Sequence, residues 1–247
     1  MDRDLVLITG ASSDIGLALI RRLIASGDQP GILAHYYSSA VRLEQLRAEL
    51  DFPSLIPLSA DLSSESDVRE LAARISGEFG IPNRMVHLPA LKLQYERFTK
   101  IQWDRFEVDL NIQVRSAVIL LQNFLPAMAK MAAARLVFVL SSTTRAIPPK
   151  FMSAYGIVKQ AQLGLMRALA SEYGETGISI NAVSPSMVDT RFLDDIPEVA
   201  RNMSAAASPR KRNAKPEEVA RAIEFLLSDG AAYINGIEVP VAGGSVF

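Results

Sequence analysis

The sequence predicts a doubly wound parallel α/β fold with about seven strands and with helices on both faces of the sheet. Short apolar runs alternate with segments whose apolar residues recur at helical spacing. The first run, Leu5–Ile8, stops before Gly10, and apolar residues at helical spacing continue from Ile15 to Ile24. Repeated alternation of this kind implies right-handed crossovers between parallel strands. No change in composition and no internal repeat divides the chain, so we expect one domain over residues 1–247.

The remaining elements follow the same alternation. Ser64, with Asp67 three positions later, predicts the start of a helix. Pro126 lies within a long helical pattern and should kink or divide that helix. Residues 184–213 are polar and lack a clear period, and we expect the part from Met187 to Asn213 to form much of the lid over a pocket. After the first pair, the predicted strands cover residues 31–36, 55–58, 84–88, 135–140, 178–183 and 237–241, and the predicted helices cover 40–50, 64–79, 103–131, 153–173 and 216–227.

Charge and residue usage exclude several classes of function. The chain has 26 basic and 27 acidic side chains, and its net charge of -1 argues against a general polyanion-binding protein. Because there is no cysteine, disulfides, thiolate metal ligands and cysteine nucleophiles are excluded. The two histidines, His35 and His87, lie far apart in the sequence, so we expect no metal site. No apolar stretch approaches the ~18 residues of a membrane span. Residues 1–4 leave no room for a signal peptide before the first strand, so we expect a cytoplasmic protein.

The turn Thr9–Gly16 has the features of a dinucleotide-binding site. Gly10 permits a positive φ and a close approach of backbone to a ligand, and the N-terminus of the next helix offers free amides to a pyrophosphate. Its position after the first strand favours this reading over a purely structural turn. Asp61, just past the third strand, has two readings. Its carboxylate accepts a hydrogen bond from an adenine amino group, or it caps a helix ahead of Ser63.

Tyr155 and Lys159 have the i, i+4 spacing that places two side chains on one face of a helix. A lysine ammonium near a phenol favours the phenolate and lowers a pKa that is ordinarily near ~10. Ser142 comes earlier, at the end of the fifth strand, and open α/β sheets bind ligands at the carboxyl ends of their strands. A hydroxyl there would hold a carbonyl oxygen while Tyr155 delivers a proton to it.

These residues, in this order, resemble the classical short-chain dehydrogenase/reductase family over nearly the whole chain. The resemblance implies a Rossmann-type fold, a nicotinamide cofactor, Tyr155 as the acid/base and Ser142 as the residue that orients the substrate. It implies that Lys159 lowers the tyrosine pKa and holds the nicotinamide ribose. The matching segments are residues 9–13, 61–62, 142, 155–159, 181–185, 188–190 and 234–244. The implied cofactor-binding residues are Gly10, Ser12, Ser13, Ile15, Gly16, Tyr36, Ser38, Ser39, Asp61, Leu62, Pro89, Tyr155, Lys159, Pro185, Val188 and Thr190.

Three of the departures from the family pattern bear most directly on the site. Asp14 stands where the family has glycine or alanine, and a carboxylate pointing inward would repel a pyrophosphate, so we expect it to face solvent or cap the first helix. The segment His87–Ala90 replaces Asn-Asn-Ala-Gly, and Pro89 supplies no amide donor. The family's fourth catalytic residue, an asparagine that holds a water near the lysine, corresponds to Gln113, with Asn111 as the alternative. We favour Gln113, whose longer amide could still hold a water.

The end of the second strand predicts the choice of nicotinamide cofactor. Residues 34–39 contain no carboxylate, and none follows until Glu44. An acidic residue there binds the ribose hydroxyls of NAD and repels a 2′-phosphate, so its absence predicts NADP(H), with NAD(H) as the alternative. Ser13 and the serines at positions 38 and 39 are candidate donors to the phosphate, and His35 would add charge when protonated. Arg42 is one helical turn too far to assign.

The sequence therefore predicts an NADP(H)-dependent oxidoreductase that reduces a carbonyl to an alcohol. It is similar to the 3-oxoacyl-carrier-protein reductases and their relatives in secondary metabolism, which implies a small-molecule or acyl-thioester substrate. The altered Asp14 and His87–Ala90 segments support an alternative, a nucleotide-binding or assembly protein of the same fold with little turnover. The resemblance also implies a homotetramer, or a homodimer, built on helices 103–131 and 153–173, without nucleic-acid or membrane partners.

Overall fold

A computed structural model of the protein describes residues 4–27 and 29–246. The ends of the predicted domain, residues 1–3 and 247, lie outside the described residues, as does most of the segment considered for a signal peptide. The strands are β1 Leu5–Thr9, β2 Gly31–Tyr36, β3 Leu55–Ser59, β4 Arg84–His87, β5 Ala134–Val139, β6 Ile178–Pro185 and β7 Glu238–Val241. The α-helices are α1 Asp14–Ala25, α2 Val41–Glu49, α3 Glu65–Arg74, α4 Trp103–Leu110, α5 Ser116–Met128, α6 Ser153–Glu172, α7 Glu198–Ala207 and α8 Pro216–Leu227.

Within the described residues, the seven strands form one parallel sheet, as predicted, in the order β3-β2-β1-β4-β5-β6-β7. The chain adds β2 and β3 on one side of β1 and then crosses to β4 on the other side. This reversal opens a crevice beyond the carboxyl ends of β1 and β4, where a doubly wound sheet binds its ligand. The fold thus places the Thr9–Gly16 turn at the edge of that crevice.

Two apolar layers enclose the sheet. Successive side chains of a strand point to opposite faces, and in β1 Val6 and Ile8 pack in the layer that contains α1 and α8. Leu7, between them, packs in the layer that contains α3, α5 and α6. All three side chains are fully buried, which explains why β1 is apolar throughout and does not alternate with polar residues.

The long helix predicted over residues 103–131 is interrupted, but Pro126 does not interrupt it. Pro126 lies inside α5 near its end. Because proline has no N–H, the backbone carbonyl of Gln122, four residues earlier, has no helical partner, but Gln122 is exposed and water can hydrogen-bond to that carbonyl. The break is a π-helical turn over Asn111–Arg115, between α4 and α5. This turn brings Gln113 into the protein interior.

The segment predicted as irregular, residues 184–213, contains more regular structure than expected. β6 extends to Pro185, a 3-10 turn covers Arg191–Leu193, and α7 follows. No residue of α7 is fully buried, and its half-buried residues, Ala200, Arg201, Ser204 and Ala205, are small or polar, so the sequence has no stripe of large apolar residues from which to predict this helix. Leu193 and Ile196 anchor the segment in a small apolar cluster with Leu93 and Met152.

We call residues 186–213 the lid.

In another part of the chain, the Ser64 side chain caps α3 as predicted, accepting a hydrogen bond from the backbone N–H of Asp67. Across the described part of the chain, the helices are all too short or too polar to cross a membrane.

Candidate active site

A cavity of about 1360 Å³ extends along the carboxyl edge of the sheet, between the strand ends and the lid. This volume exceeds that of an ordinary small-ligand pocket, about 300–1,000 Å³, and it has room for a dinucleotide together with a second molecule. The predicted site residues on its wall are Gly10, Ser12, Ser13, Ile15, Asp61, Leu62, Pro89, Ser142, Tyr155, Lys159, Pro185, Val188 and Thr190. The predicted residues away from its wall are Gly16, Tyr36, Ser38, Ser39 and Gln113.

The glycine turn is held by its contacts with β2 and β4. Gly10 has a φ of +73°, and a Cβ there would lie 3.1 Å from the backbone nitrogen of Pro89. At Gly16, a Cβ would lie 2.4 Å from the carbonyl oxygen of Ala11. Both positions therefore require glycine, and the turn exposes backbone instead of side chains to the cavity. Ser13 caps α1 by accepting from the amide of Gly16 at 3.1 Å.

This arrangement fits a dinucleotide. Gly10, Ser12 and Ser13 line the cavity where α1 begins, and a helix N-terminus with free amides favours phosphate groups. Among the described residues, no cluster of histidine, aspartate and glutamate side chains could hold a metal ion.

His35 supports the turn and is not a candidate for phosphate binding. Its Nδ1 accepts from the Gly10 amide at 3.0 Å, and its Nε2–H donates to the Ala60 carbonyl at 3.1 Å. Burial lowers the pKa of His35 to about 4, so it is neutral at physiological pH. The expectation that a protonated His35 adds charge to the phosphate site is therefore wrong, because both ring nitrogens serve the backbone.

Asp14 is neither solvent-facing nor a helix cap, contrary to expectation. Its carboxylate lies 2.5 Å from the Arg42 guanidinium and accepts from the backbone N–H of Arg191 at 2.8 Å. Arg42 also donates to the carbonyl of Ser12 at 2.8 Å, so it reaches the glycine turn that its sequence position seemed to exclude. Burial disfavours the charged form of Asp14, but the Arg191 and Arg42 hydrogen bonds outweigh it and hold the pKa below its ordinary value.

Asp61 uses one carboxylate oxygen to cap a turn. Its Oδ1 accepts from both the amide and the hydroxyl of Ser63, at 2.8 and 2.7 Å. The alternative that Asp61 caps a helix is wrong, because this contact closes a turn and Ser64 is the cap of the helix that follows. Asp61 also lines the cavity, so the adenine reading stays a prediction for its other oxygen.

Tyr155 lies on the cavity wall near the start of α6, facing the segment that follows β5. Burial raises the pKa of Tyr155 to about 12, against a smaller opposing contribution from a hydrogen bond with Ser141. The predicted lowering of this pKa is therefore wrong for the protein without cofactor. The phenol is held protonated at neutral pH. Ser142 begins a 3-10 turn beside it and also lines the cavity.

Lys159 has its ammonium group inside the protein, where two acceptors bind it. Nζ donates to the Val139 carbonyl at 2.9 Å and to Oε1 of Gln162 at 3.0 Å. It lies 5.8 Å from the centroid of the Tyr155 ring. Burial lowers the pKa of Lys159 to about 8, and the charge of Asp109 opposes this change.

Behind Lys159 lies a buried chain of hydrogen bonds. Gln162 Nε2 donates to the Gln113 carbonyl at 3.0 Å, and His87 Nε2–H donates to the same carbonyl at 3.0 Å. The side chain of Gln113 bonds to Asp109 at 2.6 Å, and its Oε1 is buried without a partner among the described residues. Gln113 is thus linked to Lys159 through its backbone carbonyl and the side chain of Gln162. The side-chain amide of Gln113 makes no direct hydrogen bond with the lysine.

Gln162 is the contact that the sequence analysis missed. It lies three residues after Lys159 and seven after Tyr155, so all three share one face of α6. A glutamine on an otherwise apolar face is the signal that could have identified it, because buried polar side chains require partners.

The two histidines predict how stability depends on pH. Burial lowers the pKa of His87 to about 3, below the ordinary 6.5, as it lowers that of His35 to about 4. As the pH falls through about 6.5, the unfolded chain takes up protons that the folded protein does not. The free energy of unfolding should then fall by about 1.4 kcal/mol per pH unit for each histidine.

Urea unfolding between about pH 6.5 and 5, above the range where most carboxylates titrate, measures this slope. The variant His87→Asn should lose half of it. An equal slope in the variant and the parent would show that His87 does not contribute.

The chain is similar to known oxidoreductases over almost its full length. Residues 10–245 match the family model described as enoyl-(acyl carrier protein) reductase. The chain is 31% identical to the 3-oxoacyl-[acyl-carrier-protein] reductase of Pseudomonas aeruginosa, with 96% of this chain and 95% of that protein covered. It is 30% identical to an uncharacterized oxidoreductase of Bacillus subtilis, with 96% and 97% covered.

Solved structures agree with these relatives. The crystal structure of levodione reductase superposes with a TM-score of 0.85 at 27% identity and covers 98% of this chain and 96% of that chain. The fold is the one that the resemblance predicted, and the glycine turn and the Tyr155–Lys159 pair line one cavity. The chain is an oxidoreductase of the class that interconverts CH–OH and C=O groups, and it belongs to the classical short-chain dehydrogenase/reductase family.

Proposed function

We propose that this protein uses NADPH to reduce a carbonyl group to an alcohol, with Tyr155 as the proton donor. The observation that carries the proposal is that Tyr155, Ser142 and Lys159 line the same cavity. The phenol of Tyr155 is protonated at neutral pH, as that of a tyrosine ordinarily is, and a protonated phenol is the form that donates to a carbonyl oxygen. The nicotinamide, when bound, would supply the hydride.

The residues around Tyr155 would divide the remaining tasks. Ser142 would donate to the carbonyl oxygen and orient it, since it lines the same wall. The Lys159 ammonium would stabilise the phenolate that forms as the proton leaves, and would hold the nicotinamide ribose. Its two protein acceptors restrain Nζ before any ligand arrives, so little reorganisation is needed at the moment of transfer. Pro185, Val188 and Thr190 would contact the nicotinamide end.

The substrate class we propose is a 3-oxoacyl thioester or a related apolar ketone. The cluster of Leu93, Met152, Leu193 and Ile196, with Tyr155 packed against it, gives the region beside the proton donor an apolar wall. Relatives named 3-oxoacyl-[acyl-carrier-protein] reductase and acetoacetyl-CoA reductase act on such groups, as their names state.

Titration with NADPH, followed by addition of ketones and 3-oxoacyl thioesters, tests the proposal. Quenching or enhancement of NADPH fluorescence on binding, and its loss on turnover with a substrate, would support a reductase. Binding without oxidation over a broad panel would favour the alternative, a nucleotide-binding protein of this fold.

The proposed cofactor preference predicts a Kd for NADPH at least tenfold below that for NADH. No carboxylate follows β2 to repel a 2′-phosphate, and hydroxyl donors to a dianion contribute about 1.5–3 kcal/mol each before desolvation. A net difference of ~1.4 kcal/mol in binding free energy is enough for a tenfold difference in Kd. Ser38→Ala with Ser39→Ala should reduce the gap, although both serines are exposed beyond the cavity wall. Equal or tighter binding of NADH would contradict the assignment.

Gln162 predicts a change in the pH profile of reduction. Gln162→Leu removes an acceptor from a buried ammonium, so the pKa of Lys159 should fall further and the alkaline limb of kcat/KM should move to lower pH. Gln162→Glu introduces a negative charge and should move that limb to higher pH. If both variants leave the limb where it is, Gln162 does not position Lys159.

We also propose that the protein is a cytoplasmic homotetramer. Trp103 and Val108 on α4 and Ile157 on α6 are exposed apolar side chains on the helices implied as the interface. Sedimentation that shows only a ~27 kDa species at micromolar concentration would contradict the tetramer. Cell fractionation tests the location.

A further inference from the structure

Asp14 connects three parts of the cofactor site. It belongs to the first turn of α1, its partner Arg42 belongs to α2, and its other partner Arg191 belongs to the lid. The Asp14 side chain is 17% exposed and that of Arg42 is 32% exposed. Partly buried ion pairs are screened by salt less than exposed ones, so the charge of Asp14 acts strongly on Arg42.

Two cations, Arg42 and Arg191, contact the Asp14 carboxylate. The Arg42 guanidinium lies 2.5 Å from Oδ1, and Nε of Arg191 lies 3.6 Å from the same oxygen. Arg42 also donates to the carbonyl of Ser12, a residue of the cavity wall. It is therefore a cation beside the turn where an adenosine 2′-phosphate is expected, and its charge is largely neutralised by Asp14.

We propose that Asp14 limits the preference of this protein for NADPH over NADH by neutralising Arg42. This inference rests on the proposed function, because it assumes that the cavity binds a nicotinamide dinucleotide. A free guanidinium would attract the 2′-phosphate, which NADPH has and NADH lacks. With its carboxylate partner in place, Arg42 contributes little to that discrimination.

The variant Asp14→Asn tests this. Asparagine removes the charge but keeps a side-chain oxygen that can accept from the Arg191 amide, so the lid contact is retained. We expect the ratio of Kd for NADH to Kd for NADPH, measured by fluorescence, to rise about tenfold, which corresponds to about 1.4 kcal/mol. The gain should shrink as salt is added, since it is electrostatic.

Two further variants identify which cation acts. Asp14→Asn combined with Arg42→Gln should lose the gain, whereas Asp14→Asn combined with Arg191→Gln should keep it. Arg42→Gln alone leaves Asp14 without its partner guanidinium and should lower the ratio below that of the parent protein. This single variant also tests the proposal if the Asp14 variants fail to fold.

Glu224→Gln is a matched control, because it breaks a carboxylate–arginine pair between α8 and Arg22 of α1 that lies away from the cavity. It should leave the ratio unchanged. A ratio in Asp14→Asn within about threefold of the parent, or a gain that survives the loss of Arg42, overturns the proposal. If the parent protein binds neither dinucleotide, the proposed function fails and this inference fails with it, whereas binding of both with no response to Asp14 overturns this inference alone.

Discussion

Replacing Tyr155 with phenylalanine is expected to lower kcat for carbonyl reduction at least ~100-fold, the usual scale for a lost general acid. The Kd for NADPH should stay within a few-fold of the parent value, because the variant retains the aromatic ring that packs against Leu193 and its apolar cluster. Steady-state kinetics with the best substrate of the panel, and NADPH fluorescence for binding, measure the two effects separately.

Tyr95→Phe is the matched control for this experiment. Tyr95 lines the same cavity, and the variant removes the same phenolic hydroxyl, but Tyr95 lies outside the group of Ser142, Tyr155 and Lys159. Its kcat should stay near that of the parent protein. Retention of more than a tenth of kcat in Tyr155→Phe would remove Tyr155 from the mechanism. Comparison of Ser142→Ala with Ser141→Ala then shows which hydroxyl serves the substrate, since the first should lower kcat and the second should act mainly through Tyr155.

Lys159→Met is expected to lower kcat by a similar factor and also to weaken NADPH binding. The variant keeps the length of the side chain but removes the charge that would stabilise the phenolate and the group that would hold the ribose. A residue with one of these roles would affect one measurement only. If thermal stability changes while kcat and the Kd for NADPH stay the same, Lys159 has a structural role.

The pH profile provides a second test of Lys159. The pKa of Lys159 is lowered to about 8 by burial, so the ammonium is charged at neutral pH and loses its proton as the pH rises through that value. We expect kcat/KM for reduction to be level near neutral pH and to fall above about pH 8. Lys159→Met should show a low profile without this fall. A parent profile that stays level through pH 9 would show that the charge of Lys159 is not needed.

Much of the fold could be predicted from sequence because its signals are local. The apolar run of β1 and the period of α1 are set by which residues can be buried, and Gly10 and Gly16 stand where a Cβ would meet backbone. α7 was not predicted, because the residues on its half-buried face are small or polar and leave no stripe of large apolar side chains. The π-helical turn at residues 111–115 lies between two helices whose apolar residues follow one continuous helical pattern, so no residue type in the sequence indicates it.

The sequence by itself determined the family, the sheet with its crevice and the placing of Ser142, Tyr155 and Lys159 at one cavity, because strand ends and helical spacing follow from local pattern. Only the tertiary structure decided the electrostatic state of those groups. Burial raises the pKa of Tyr155 and lowers that of Lys159, and burial depends on every element that packs around them. Contacts between distant segments, such as Asp14 with Arg42, likewise depend on how separate elements meet in space, which spacing along the chain does not encode.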